Sequence, residues 1–151
     1  MKSLHAGLAG MKKTYFSIIL LLFATGCFAE EPKISPQQYW SDFRQAVIAT
    51  DYQKLRGYTQ FPLAVHGIVD GIPVQNIGTD QFEAVMKKVL DQPVASYEGD
   101  KVVTFTQREL ISKTTDLKNT KIQPDKSFRV GELVFERKGN TNKLVRAYLS
   151  E

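Results

Sequence analysis

The chain has one cysteine, one tryptophan and two histidines among its 151 residues, and each scarcity removes a class of protein. The lone Cys27 cannot form an internal disulfide, so stability has to come from packing. His66 is the one histidine beyond the N-terminal segment, and a metal centre would rest on carboxylates alone; no metal or other cofactor is expected. The HExxH, GxSxG, P-loop and dinucleotide-binding glycine patterns are all missing. Most hydrolase, kinase and oxidoreductase templates go with them. Long apolar runs are missing too: residues 15–23 form the most hydrophobic stretch, about half of the roughly 20 residues a spanning helix needs.

That short run has another use. Lys12 and Lys13 precede it and small residues follow it, which is the layout of a secretory signal over residues 11–29. Met11 is the expected start, with residues 1–10 as an untypical extension. The stretch "LFATGCFAEE" admits two processing routes. Cleavage after Ala29 discards Cys27 and frees a soluble periplasmic product; lipidation at Cys27 anchors the protein in the bacterial envelope. Lipidation signals favour Leu, Val or Ile three residues before the cysteine, where this chain has Ala24, so cleavage after Ala29 is preferred. Membrane attachment is expected only through a lipid on Cys27.

Removing residues 1–29 takes away Lys2, Lys12 and Lys13 but no acid, leaving 17 basic and 16 acidic residues. A net of +1 lacks the footprint of a nucleic-acid binder, and no nucleic-acid partner is expected. The remaining 122 residues suffice for one hydrophobic core. Residues 30–34 read as a short tether and 35–151 as a single α+β domain.

Local chemistry marks the elements. Ser35, Pro36 and Gln38 supply a cap, a first-turn proline and a capping-box partner for a helix running to about Thr50, with Tyr39, Trp40, Phe43, Ala46 and Val47 on one face. Asp51 starts a short second helix, which Gly57 should end in a left-handed conformation. Residues 61–69 and 73–77 alternate as strands around the Asp70-Gly71 turn. Asp80 and Glu83 suggest a capping box for a helix carrying Phe82, Val85, Met86, Val89 and Leu90, stopped by Pro93. Strands follow at 94–97, 102–108, 128–137 and 144–149; Gly131 marks a β-bulge within the third. The polar stretch 110–126 holds either a short strand near 118–123 or a loop.

This order, carried by "YWSDFRQAVIATDYQKLRGYTQFPL" and the terminal "FRVGELVFERKGNTNKLVRAYL", resembles the nuclear-transport-factor-2-like superfamily of cystatin-like cones, shared with ketosteroid isomerase and scytalone dehydratase. The resemblance implies helices packed on a curved antiparallel sheet, a pocket between the sheet and the first helix, and an outer sheet face that often forms a homodimer. A tryptophan common after the last turn of that family is replaced here by Asn142 before Lys143 and Leu144.

Within such a cone, Tyr39, Trp40, Phe43, Tyr58, Phe61, Phe82 and Phe105 could line an apolar ligand pocket or simply form the core. His66 is the candidate catalytic base, because imidazole titrates near neutrality. Asp42, Asp51 and Asp70 are carboxylates near the expected pocket, although capping and turn roles already explain Asp51 and Asp70. Lys87-Lys88 and Arg137-Lys138 read as a solvated helix face and a turn edge. The favoured expectation is a periplasmic, non-enzymatic binding or accessory protein that takes a small apolar ligand or an envelope protein partner. A cofactor-free isomerase- or dehydratase-like enzyme using His66 and a pure protein-interaction module are the alternatives.

Overall fold

The computed structural model describes residues 32–69, 71–118, 120 and 126–150, all within the compact unit Glu31–Glu151. The signal segment, Cys27, the cleavage point after Ala29, Asp70 and most of the 118–123 stretch lie outside the described residues.

Among the described residues four helices and seven strands follow in the order α1 (Pro36–Ile48), α2 (Tyr52–Gly57), β1 (Thr59–Gly67), β2 (Gln75–Ile77), α3 (Phe82–Asp91), β3 (Pro93–Glu98), β4 (Lys101–Thr106), α4 (Gln107–Lys113), β5 (Ser127–Val130), β6 (Leu133–Lys138) and β7 (Thr141–Leu149). The class is α+β. The main sheet runs β2-β1-β7-β6-β5, and β3-β4 form a separate hairpin. The expectation of a wholly antiparallel sheet is corrected: β7 lies parallel to β1 while antiparallel to β6. The C-terminal strand enters the middle of the sheet, and local pattern carries no trace of which neighbours a central strand will take.

Ser35 caps α1 by accepting a hydrogen bond from the Gln38 amide at 3.1 Å. The Gln38 side chain donates to Asp42 Oδ1 instead of returning to the cap. At the other end Thr50, at φ 56°, reverses the chain: its amide donates to Val47 and the Asp51 amide donates to Ala46, closing two orphan carbonyls in the manner of a Schellman turn. The left-handed residue is therefore Thr50, and Gly57 stays helical, because α2 passes through an αR Tyr58 directly into β1. Asp51 caps α2 through the Lys54 amide. In α3 the N-cap is Gln81, which makes no side-chain cap bond, so the Asp80–Glu83 box does not form.

A helix was not expected after β4, yet Thr106 and Glu109 form a reciprocal capping box and start α4 there. The strand expected over 102–108 accordingly stops at Thr106. α1 and α4 then satisfy each other's termini. Trp40 Nε1 donates to the Thr114 carbonyl at 2.8 Å and Arg44 donates to that of Ser112, while Arg108 donates to Val47 at 3.0 Å. α1 has no basic residue in its last turn, and the Arg108 guanidinium brings the missing positive charge.

Gly131 does not bulge one long strand. With Glu132 it makes a two-residue turn between β5 and β6, pairing Val130 with Leu133. Its φ of 55° suits the first central position of such a hairpin, and an added Cβ would collide with the Gln107 carboxamide. That buried carboxamide holds the turn by donating to the Val130 carbonyl and accepting from the Glu132 amide, both at 2.9 Å. Irregularities among the described strands fall instead between β6 and β7, where Val134 opposes Arg146 but Phe135 opposes Leu144, and between β1 and β7, where the register shifts between Thr59 and Ala64.

All four described helices contribute to one buried cluster on one face of the sheet, with Leu63, Val65, Ile77, Phe128, Val130, Leu133, Phe135, Leu144 and Ala147 as the sheet's share. Asn142 is buried on that face as well: its Oδ1 accepts from Arg137 at 3.3 Å, and its Nδ2 has no partner among the described residues.

Candidate binding face

Six of the seven aromatic candidates pack against other rings in or beside the core. Tyr39, Trp40, Phe43 and Tyr58 interlock with Phe128 and Phe135, whose rings stack at 4.7 Å across the β5–β6 hairpin. Phe43 meets Phe135 edge-on at 5.0 Å. Phe61 and Phe82 form a separate pair at 5.3 Å. Phe105 is elsewhere, on β4, with Lys113 Nζ 3.9 Å from its ring centre. Trp40, Phe43 and Phe82 are 0 % exposed, so the side chains proposed as pocket walls fill the space between helices and sheet.

Tyr39 shows how dry that space is. Burial raises its pKa well above the ordinary tyrosine value, and the neutral phenol donates to the Tyr58 carbonyl at 2.8 Å. Tyr58 is also raised, by desolvation first and by the nearby Asp42 charge second.

His66 lies on the other side of the sheet. Leu63 and Val65 turn into the core, which puts Ala64 and His66 on the outer face. His66 opposes Tyr148 in the parallel β1–β7 pair, ring centres 5.4 Å apart. No hydrogen bond joins His66 to a carboxylate among the described residues. Asp42 accepts from the Gln38 side chain and Asp51 from the Lys54 amide of α2, and no group of side chains suited to a metal occurs among the described residues.

The outer face carries what residue-type searching did not single out. Arg129 on β5 stacks its guanidinium 4.7 Å from the Tyr148 ring centre and pairs with Glu132 at 2.7 Å. Arg146 and Tyr148 share a side of β7, next to His66 on β1 and Val134 on β6. The signal was present in "LVRAYL", where Arg146 and Tyr148 have the same parity, but its meaning depends on which face the helices cover.

Among the described residues a crevice and a groove lie at the β2 edge. A crevice beside His66, walled by Ile72 and Pro73, has about 10 Å³, room for roughly one water. An open groove of about 760 Å³ runs past Gln75, Val85, Lys88, Asp91, Pro93 and Leu149.

No described helix is long and apolar enough to cross a membrane. Comparison with protein-family models, curated proteins and solved structures yields no match to this chain.

Proposed function

We propose that this is an exported, periplasmic, non-enzymatic binding or accessory protein that engages another envelope protein through the outer face of its sheet. The observation that carries this reading is the filled interior: Trp40, Phe43 and Phe82 are fully buried and in ring contact, which leaves surfaces to do the binding. The position of His66 beside Tyr148, with no hydrogen-bonded carboxylate among the described residues, favours this over proton-transfer chemistry. We read the fold as a variant of the nuclear-transport-factor-2-like cone, supported by the order α1, α2, β1, β2, α3 and by helices gathered on one face; the detached β3–β4 hairpin and parallel β7 are departures from it.

A photo-crosslinking residue placed at Val134 on the outer face, in the full chain expressed and exported by cells, tests the reading. A discrete adduct with one envelope protein from Val134, and none from Lys87 on α3, is the expected result. Equal labelling from both positions would sink it. A small apolar ligand is the second reading, favoured by the open groove beside Val85 and Leu149. In that case an apolar ligand should raise the melting temperature, and Val85→Asp should abolish the shift.

A further inference from the structure

Resting on the reading that the outer sheet face is the binding face, we infer the chemistry of its partner: an extended, acidic segment of a protein in which carboxylates alternate with apolar side chains.

The face has a sign of its own. Arg129, Lys138, Lys143 and Arg146 project from it against Glu132 and Glu136, a net of +2. The rest of residues 30–151 carries 13 basic and 14 acidic side chains, so the positive bias of the mature chain belongs to this one surface. Among these cations Arg129 is committed to Glu132 and Lys138 to Glu136, and Lys143 reaches the Gly57 carbonyl. Arg146 has no ion pair among the described residues. Its guanidinium is a planar fork suited to a carboxylate.

The surroundings of Arg146 restrict the partner further. Ala64 opposes Arg146 and His66 opposes Tyr148, so Arg146 and His66 are diagonal neighbours on one face and both can donate to an anion. Tyr148, held between the His66 ring and the Arg129 guanidinium, offers an amphipathic platform, and Val134 lies directly across from Arg146. Glu132 and Glu136 interrupt the positive field. A dense polyanion such as a nucleic acid would meet those carboxylates at close spacing, whereas a strand with spaced acids and intervening apolar groups matches the alternation of Arg146, Tyr148 and Val134.

The test uses the protein purified after expression of the full chain and a fluorescent peptide of about twelve residues alternating Glu with Val or Leu. Saturable binding that weakens as salt rises is expected, with Arg146→Glu lowering affinity at least about tenfold and Lys87→Glu leaving it unchanged. Arg146→Gln, which removes charge without reversing it, should give a smaller loss in the same direction, and thermal melts of both variants establish that they fold. The inference is overturned by no saturable binding, by equal binding of the peptide with Lys for Glu, by insensitivity to Arg146→Glu, or by preference for phosphatidylglycerol vesicles over the peptide. A Val134 adduct that persists in Arg146→Glu would remove the acidic-segment inference and leave the functional reading standing. Absence of that adduct when the crosslinking residue stands at position 134 and Arg146 is intact would remove the functional reading itself.

Discussion

At the scale of single residues, burial decides what a functional group can do. In sequence Tyr39 reads more readily as a core ring than as a pocket wall, although helical spacing gives it the same face either way. In the fold Tyr39 is 2 % exposed and its phenol donates to the Tyr58 carbonyl. The raised pKa fixes the sign of a pH effect. A phenol that holds its proton more tightly folded than unfolded contributes stability that is fully present below the ordinary value near 10 and is lost as pH rises through the folded value. The melting temperature should therefore fall above about pH 10. Tyr39→Phe should cost about 1 kcal/mol at neutral pH through the lost hydrogen bond, yet show a shallower decline above pH 10, with the remaining slope coming from Tyr58. Circular-dichroism melts from pH 7 to about pH 11 in both proteins check this; parallel curves would mean that the Tyr39 phenol is not the group responsible.

At the scale of elements, the ends carry the lesson. The start of α1 was legible because Ser35 and Pro36 act within one turn of chain. The end of α1 was legible in position, near Thr50, but not in geometry: Thr50, a β-branched residue, takes a positive φ where glycine would be the default, because the turn closes the Ala46 and Val47 carbonyls. Thr50→Gly relieves that conformation and should stabilise the protein by about 1 kcal/mol, giving up only a marginal 3.5 Å contact from Arg108 to the Thr50 hydroxyl. A lower denaturation midpoint in Thr50→Gly would show that the hydroxyl matters more than the strain. α4 was within reach of sequence reading, since Thr106-x-x-Glu109 is a capping box, but the β-branched run ahead of it reads as a continuing strand. Acid should loosen this helix start: the Glu109 pKa is held down by hydrogen bonds from the Thr106 amide and hydroxyl, so its contribution is present above the ordinary carboxylate value and fades as pH falls through the lowered one.

At the scale of the whole molecule, one aromatic cluster ties helices to sheet. Phe135 is its hub, touching Tyr39, Trp40, Phe43 and Phe128. Phe135→Ala should cost about 3–5 kcal/mol, a large share of the 5–15 kcal/mol typical of such a domain. Urea unfolding should show a lower midpoint with an unchanged slope. A loss below about 1 kcal/mol would imply that the interior has room to spare, and would reopen the pocket that the filled core argues against. The same cluster explains why the surface is left to do the binding: with the helices on one side and packed there, His66, Arg129, Arg146 and Tyr148 share the side that no described helix covers.

Short-range chemistry by itself determined much of this protein: the α+β class, the N-caps of α1 and α2, the shared parity of Leu63 and Val65, and the final hairpin all follow from groups within a few residues of one another. Tertiary structure alone decided that β7 lies between β1 and β6, that Gly131 turns a hairpin closed by the distant Gln107, and that the histidine of β1 faces away from the aromatic core. Those outcomes depend on contacts between residues far apart in sequence. A strand's alternation states which side chains share a face, but only the packing of the helices states which face is buried.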